Sequence, residues 1–144
     1  MIIVDTTVLV YAVGQDHPLR EPCRDLITAL RDGRLRATTT PEVIQEFAHV
    51  RGRRRPGDDA GALARDFVEL LRPLIVVDED DLRAGLSMFA DGQLLGAFDA
   101  VLAATVLHRG AAALVSADRA FASIDGLPHV NPQEPGLIEA LLRL

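Results

Sequence analysis

The chain of 144 residues is 49% hydrophobic and carries a formal net charge of −6, with 21 acidic side chains against 15 basic ones. That length suits one domain, residues 1–144, able to bury roughly two thirds of its unfolded surface, and no apolar run approaches the ~18 residues that a membrane span needs. Every basic side chain is arginine, which excludes Schiff-base chemistry, a Walker A phosphate loop and the phosphotransfer sites that set a lysine beside a strand-end aspartate.

Taken in order, Ile2-Ile3-Val4 is an apolar run of the kind found in a strand buried on both faces of a parallel sheet. Asp5 follows at its carboxyl end, where open α/β sheets bind ligands, although it can equally cap the next segment. The run has no basic residues before it and is broken by Asp5, so no signal peptide is expected. Val8 to Val13 reads as a short helix closed by Gly14. Pro18 opens a second helix that turns Cys23, Leu26, Ile27 and Leu30 inward and stops at Gly33. Cys23 is the only cysteine, so it forms no internal disulfide, belongs to that packed stripe and suits a reducing cytoplasm.

Leu35 to Thr39 reads as a second strand of mixed character. Thr40-Pro41 then gives an N-cap with proline at the first helical position, and the helix runs through Val43, Ile44, Phe47 and Val50. Residues 51–57, rich in arginine, read as a loop or frayed helix end. Asp58 or Asp59 caps a helix that Pro73 ends, Leu74 to Val77 reads as another apolar strand, and Asp78 or Asp80 starts a helix with Leu82, Leu86, Met88 and Phe89 as its apolar positions. Gly92 and Gly96 precede a helix from Ala97 to His108, terminated by Gly110. Ala113 to Ser116 is the last well-marked strand, followed by Asp118, a short helical turn, an edge strand near Val130 and a helix around Leu137 to Leu142. Strands alternate with helices and nothing resembles a hairpin, so the fold expected is an α/β sandwich with a central parallel sheet and helices on both faces.

Four acids stand out. Glu46 falls in step with Val43 and Val50 on the stripe of its helix that should face the sheet, and a carboxylate there needs a partner. Asp99 repeats the pattern, with Leu102, Ala103 and Val106 continuing its face. Asp118 follows a buried strand as Asp5 does, and in a parallel sheet both emerge along one edge. Each has an ordinary alternative: a salt bridge with an arginine for Glu46, a favourable helix-start charge for Asp99, an N-cap for Asp118. Together they form a convergent set. Several ionised carboxylates sit together only with cations, and oxygen ligands select Mg²⁺ or Mn²⁺ over zinc. His17, His49, His108 and His129 are scattered without metal-ligand spacing. A hard divalent ion in an acidic pocket suits phosphodiester hydrolysis.

The segments IIVDTTVLVYA, TTPEVIQEF, LGAFDAVLAATVLHRG and LVSADRAF resemble, in order and spacing across nearly the whole chain, a PIN-domain ribonuclease of the VapC-toxin kind from bacterial type II toxin–antitoxin pairs. The resemblance implies a PIN-like three-layer sandwich and a site in which Asp5, Glu46, Asp99 and Asp118 hold one or two ions. It implies Thr7 and Ser116 as hydroxyl neighbours placed to hydrogen-bond a carboxylate or a coordinated water. It also implies endonucleolytic RNA cleavage that leaves a 5′ phosphate, a homodimer, a cognate VapB-like antitoxin and a bacterial cytoplasmic setting. Asp5, Asp99 and Asp118 are then expected as metal ligands, with Glu46 completing the shell.

The cluster Arg51, Arg53, Arg54 and Arg55 reads either as a solvated loop or as a phosphate-tracking patch for RNA that offsets the acidic balance. With one tyrosine and no tryptophan, a base-stacking platform is not expected. Leu94, Leu95, Leu141, Leu142 and Leu144 are apolar beyond core needs and suit either a partner surface or terminal packing. Competing readings are a metal-dependent nuclease or phosphoesterase acting on DNA or a small ester, and a non-catalytic binding module.

Overall fold

The strands are short and all run one way. In the computed structural model, which describes residues 1–92 and 94–144, β1 (Ile2–Val4), β2 (Ala37–Thr38), β3 (Ala113–Val115) and β4 (His129–Val130) pair in parallel in the order β2-β1-β3-β4. Ile3 stands opposite Thr38 on one side and Leu114 on the other, and Val4 stands opposite Val115. Successive strand residues point to opposite faces, yet Ile2, Ile3, Val4, Ala113, Leu114 and Val115 are all buried. Both faces of the central strands are therefore covered, which is what a parallel sheet with helical crossovers requires.

The helices are α1 (Thr6–Ala12), α2 (Arg20–Arg31), α3 (Pro41–Gly52), α4 (Gly57–Leu71), α5 (Glu79–Ala90), α6 (Ala97–His108) and α7 (Leu137–Leu141). The start of α3 is as expected: Thr40 is the N-cap, its hydroxyl accepts from the Val43 N–H at 3.4 Å, and Pro41 opens the helix. Helix α1 begins two residues earlier than the apolar pattern suggested, because Asp5 caps it. Helix α2 buries Cys23, Leu26, Ile27 and Leu30. The Cys23 thiol is pushed up to about 12 by burial, so it packs rather than reacts.

Two expectations need correction. Residues 74–77 form no strand. Thr38 Oγ1 donates to the Pro73 carbonyl at 2.8 Å and the Ile75 N–H donates to Thr39 at 2.9 Å, so the segment only touches the edge beyond β2. Since β2 is two residues long, it offers too short an edge for a further strand to pair along. Pro56, not Asp58 or Asp59, precedes α4, while residues 51 and 52 form the end of α3, in keeping with the helix-end alternative. The apolar positions of α5 divide: Leu82, Leu86 and Phe89 are each nearly half exposed, whereas Met88 packs against the core.

What α5 turns inward is unusual. Gly85 is buried against α6, and a Cβ placed on it would lie 2.4 Å from the Cα and 2.7 Å from the backbone nitrogen of Val101. The two helices thus meet backbone to backbone. At the other end of the crossing Asp81, with no exposed surface, accepts from Arg109 Nη2 at 2.8 Å and pairs with His108 Nδ1 at 2.7 Å. It also accepts from the Asp78 N–H while Asp78 accepts from its own, a reciprocal cap at the start of α5. A buried carboxylate satisfied in this way locks the end of one helix to the start of the other.

Substituting Gly85 by alanine would force backbone apart rather than a flexible side chain. Gly85→Ala is expected to lower stability by about 1–3 kcal/mol in urea unfolding; an unchanged midpoint would mean that the helices do not approach this closely.

Candidate active site

Asp5 closes β1 with only 2% of its surface exposed. Its Oδ2 is occupied three times over: by the Thr7 hydroxyl at 2.6 Å, the Ser116 hydroxyl at 2.7 Å and the Thr7 N–H at 3.3 Å. The two hydroxyls lie 3.3 Å apart, and each also accepts, Thr7 from the Ala117 N–H and Ser116 from the Asp118 N–H, both at 3.0 Å. One small network therefore joins the ends of β1 and β3 and fixes Asp5 and the backbone of Asp118 together. Asp5 Oδ1 takes no hydrogen bond from the described residues.

Glu46 projects from the middle of α3, partly buried, and the alternative of a salt bridge with an arginine is not realised among the described residues. Its partner is Thr6, whose hydroxyl donates to Oε2 at 2.6 Å and also approaches the Val43 carbonyl at 3.4 Å. Asp118 caps the 3-10 turn Arg119–Ser123 by accepting from the Ala120 N–H at 2.8 Å, and it is exposed. The capping readings of Asp5 and Asp118 hold, yet each cap uses a single carboxylate oxygen. Among the described residues Asp5, Glu46 and Asp118 all keep the other oxygen free of protein donors.

Asp99 sits in the first turn of α6, and Gly96, the residue before that helix, offers no side chain to cap it. Its carboxyl is raised from the ordinary 3.8 to about 6, first by burial and then by the negative charges of Asp5, Glu46 and Asp118. The Gly96 N–H works weakly in the other direction. The four acids thus feel one another's charge, and Asp5, Glu46 and Asp99 line one cavity of about 490 Å³.

The donor chemistry fits a hard cation. Four carboxylates converge without a compensating arginine or lysine, and they offer only oxygen. They are not closed round one point, however: among the described residues no three His, Cys, Asp or Glu side chains make a ready ligand group. A small cation that keeps several of its own waters suits such an open ring better than a fully stripped one.

Residue-pattern reasoning missed Thr6, His129 and Asn131. His129 Nε2 bonds the Ser116 carbonyl at 2.9 Å, and the Asn131 amide donates to the Ala117 carbonyl at 3.4 Å, bracing the strand end that carries Asp118. The paired threonines after Asp5 held a signal for Thr6, since adjacent residues of a helix point about 100° apart and cannot both serve Asp5. For His129 and Asn131 there was none, because their role depends on the pairing of β3 with β4.

The arginine cluster divides. Arg51 is largely buried, with Nε donating to Asp59 at 2.8 Å and Nη1 to the Val13 carbonyl at 3.0 Å, and it holds the Asp59 carboxyl below its ordinary value. Arg53, Arg54 and Arg55 are exposed and form no ion pair among the described residues. Of the extra leucines, Leu95 and Leu141 are core residues, whereas Leu94, Leu142 and Leu144 are exposed.

Residues 2–127 match the family model described as PIN domain. The chain is 51% identical over 142 residues to Ribonuclease VapC7 of Mycobacterium tuberculosis, covering 98% of each. It is 32% identical over 126 residues to Ribonuclease VapC23 of the same organism, covering 85% of this chain and 97% of that one. Among solved structures, VapBC-1 from nontypeable Haemophilus influenzae superposes with a TM-score of 0.69 over 93% of this chain and 100% of that one, at 17% identity. VapBC2 from Rickettsia felis, solved bound to a DNA fragment from its promoter, gives 0.69 over 91% and 98%, also at 17%. These two likenesses concern the fold alone.

The repulsion around Asp99 has a measurable sign. Its carboxyl holds a proton more tightly folded than unfolded, so stability falls as pH rises from about 4 to about 6, and above that window the charged form is a standing cost. In buffer free of divalent ions, Asp99→Asn is expected to be more stable than wild type at pH 7.5 by about 1 kcal/mol, discounted for solvent screening. The gain should shrink toward zero near pH 4, which urea titrations at the two pH values would check.

Proposed function

Because the chain belongs to the PIN domain family, we propose that it is a metal-dependent endoribonuclease, one PIN-like domain over residues 1–144, that hydrolyses RNA phosphodiester bonds to leave 5′ phosphates and serves as the toxin of a toxin–antitoxin pair in the bacterial cytoplasm. The observation that carries this reading is the raised Asp99 carboxyl, set between three other acids at the edge of one cavity. Such a cluster is costly unless a cation occupies it.

In this reading Asp5, Asp99 and Asp118 hold one or two Mg²⁺ or Mn²⁺ ions and Glu46 completes the shell. The ion, when bound, activates water and offsets the charge that grows on the phosphate. The chain's own residues supply position. Thr7 and Ser116 occupy one oxygen of Asp5 and leave the other without a donor among the described residues. Thr6 does the same for Glu46, and Ser116 sets Asp118 through its backbone N–H. Asp99 in its raised state exchanges its proton for the cation, so cation binding is favoured as pH rises through about 6.

The chain's protein partners in this reading are a VapB-like antitoxin and a second copy of itself. The VapBC neighbours are antitoxin–toxin complexes. The cavity beside the acids is walled by Leu82, Leu86, Phe98, Val101 and Leu102, with Glu42, Asp78 and Glu79 along it. Phe98 is 73% exposed, and Leu82 and Leu86 along the same cavity are exposed as well, an apolar surface of the kind that marks interaction sites. An apolar segment carrying basic side chains matches that surface in both respects. Among the described residues no helix is long and apolar enough to cross a membrane.

The test is to sequence RNA 5′-phosphate ends in bacteria expressing the chain, beside Asp5→Asn and Asp99→Asn. Discrete new ends are expected with wild type, reduced at least about a hundredfold in both variants, the scale of losing one catalytic electrostatic group. Full activity in both variants would sink the site assignment, and cleavage of DNA with RNA left intact would move the reading to a deoxyribonuclease.

A further inference from the structure

A second cavity, of about 290 Å³, lies where α1 and α3 end. Val10, Val13 and Val50 give it an apolar side, with the fully buried Phe47 behind them. Gln15, Arg54 and Arg55 stand at its rim. Two parallel demands meet here. The carboxyl ends of both helices leave carbonyls that favour cations, and Arg51 meets that demand, bonded to the Val13 carbonyl and to Asp59. The N–H groups of Arg54 and Arg55 both donate to the Arg51 carbonyl at 3.0 Å, folding the chain back over the end of α3. Arg54 and Arg55 thereby line the cavity with no side-chain hydrogen bond or ion pair among the described residues, although the Arg55 charge also helps lower the Asp59 carboxyl.

We infer that this cavity is a subsite for one RNA nucleotide, its base lodged against the valine wall and its phosphate held by Arg54 and Arg55. A volume near the lower end of ligand pockets, about 300 Å³, suits a single planar group. Guanidinium planes stack on bases as aromatic rings do, and they also bind phosphate bidentately. A chain with net charge −6 needs a local positive region to hold a polyanion. The same two helices carry the acidic site: Thr6 and Thr7 open α1, and Glu46 lies six residues, about 9 Å, before the end of α3. RNA laid along this helix pair reaches both places.

The inference rests on the ribonuclease reading, and the experiment separates the two. Binding of a fluorescent single-stranded RNA on the order of a dozen nucleotides, within the usual range of single-strand sites, is measured against salt for wild type, Arg54→Ala/Arg55→Ala and Val50→Phe. The arginine pair is expected to lose at least tenfold in affinity and to make the salt slope shallower by about 0.7, the value for one phosphate contact on a single strand. Val50→Phe, which fills the cavity without touching charge, is expected to lose severalfold with the slope unchanged. Wild-type affinity and slope in both variants, with wild type still cleaving RNA, would overturn the subsite and leave the ribonuclease standing. A wild type that neither binds nor cleaves RNA would overturn both. Variants that keep RNA but lose an acidic peptide partner would assign the cavity to a protein and overturn the subsite equally.

Discussion

Four carboxylates gathered at one edge of a parallel sheet repel one another, and much of the surrounding structure holds them in place against that repulsion. The repulsion is visible in Asp99, whose carboxyl rises to about 6 under burial and the charges of Asp5, Glu46 and Asp118. The restraint is visible in the hydroxyls. Thr6, Thr7 and Ser116 each spend their proton on an acid, and each does so at 2.6 or 2.7 Å. A hydroxyl stabilises a carboxylate without neutralising it, so the cluster stays negative and keeps its appetite for cations. Arginine in those places would have ended it.

The second restraint is the crossing of α5 and α6. Asp99 lies in the first turn of α6, two positions before the residue that Gly85 meets, so the location of that acid is set by how closely the helices approach. The Asp81 network with His108 and Arg109 anchors the far end of α6. Helix α5 therefore gives its inward face to a glycine and a buried acid and leaves Leu82, Leu86 and Phe89 outside. Apolar surface next to the acids is the consequence, and the helix pair serves both the site and its neighbouring groove.

These arrangements differ in how plainly the sequence announces them. The strand ends at Asp5 and after Val115 were legible because a continuous apolar run followed by a single acid has few other meanings, and the parallel α/β architecture followed from their alternation with helices. Glu46 and Asp99 were legible because a carboxylate in step with a buried stripe is an anomaly. Residues 74–77 misled for the opposite reason: an apolar run satisfies the pattern of a strand, but pairing also needs a neighbour, and β2 is only two residues long. Periodicity marked the apolar positions of α5 without telling which way they face, since it registers a stripe without registering what the stripe faces. The division of the arginine cluster was out of reach, because Arg51 is defined by Val13 and Asp59, and neither contact leaves a mark in local sequence.

An acidic enzyme acting on an acidic polymer faces a contradiction that overall charge cannot resolve. The PIN fold of this chain resolves it by distance along two helices. Two of the four acids, Asp5 and Glu46, lie at the amino end of α1 and the middle of α3, where, in the reading proposed above, a divalent ion would convert negative charge into attraction for phosphate. At the carboxyl ends of the same helices the backbone itself is negative, so basic side chains are drawn there for structural reasons, as Arg51 shows. Once that demand is met, any further arginine at the same place is surplus to the fold and free for another anion. Helix polarity thus separates the two signs of charge, and keeps the acidic end of the pair from being neutralised by the basic end.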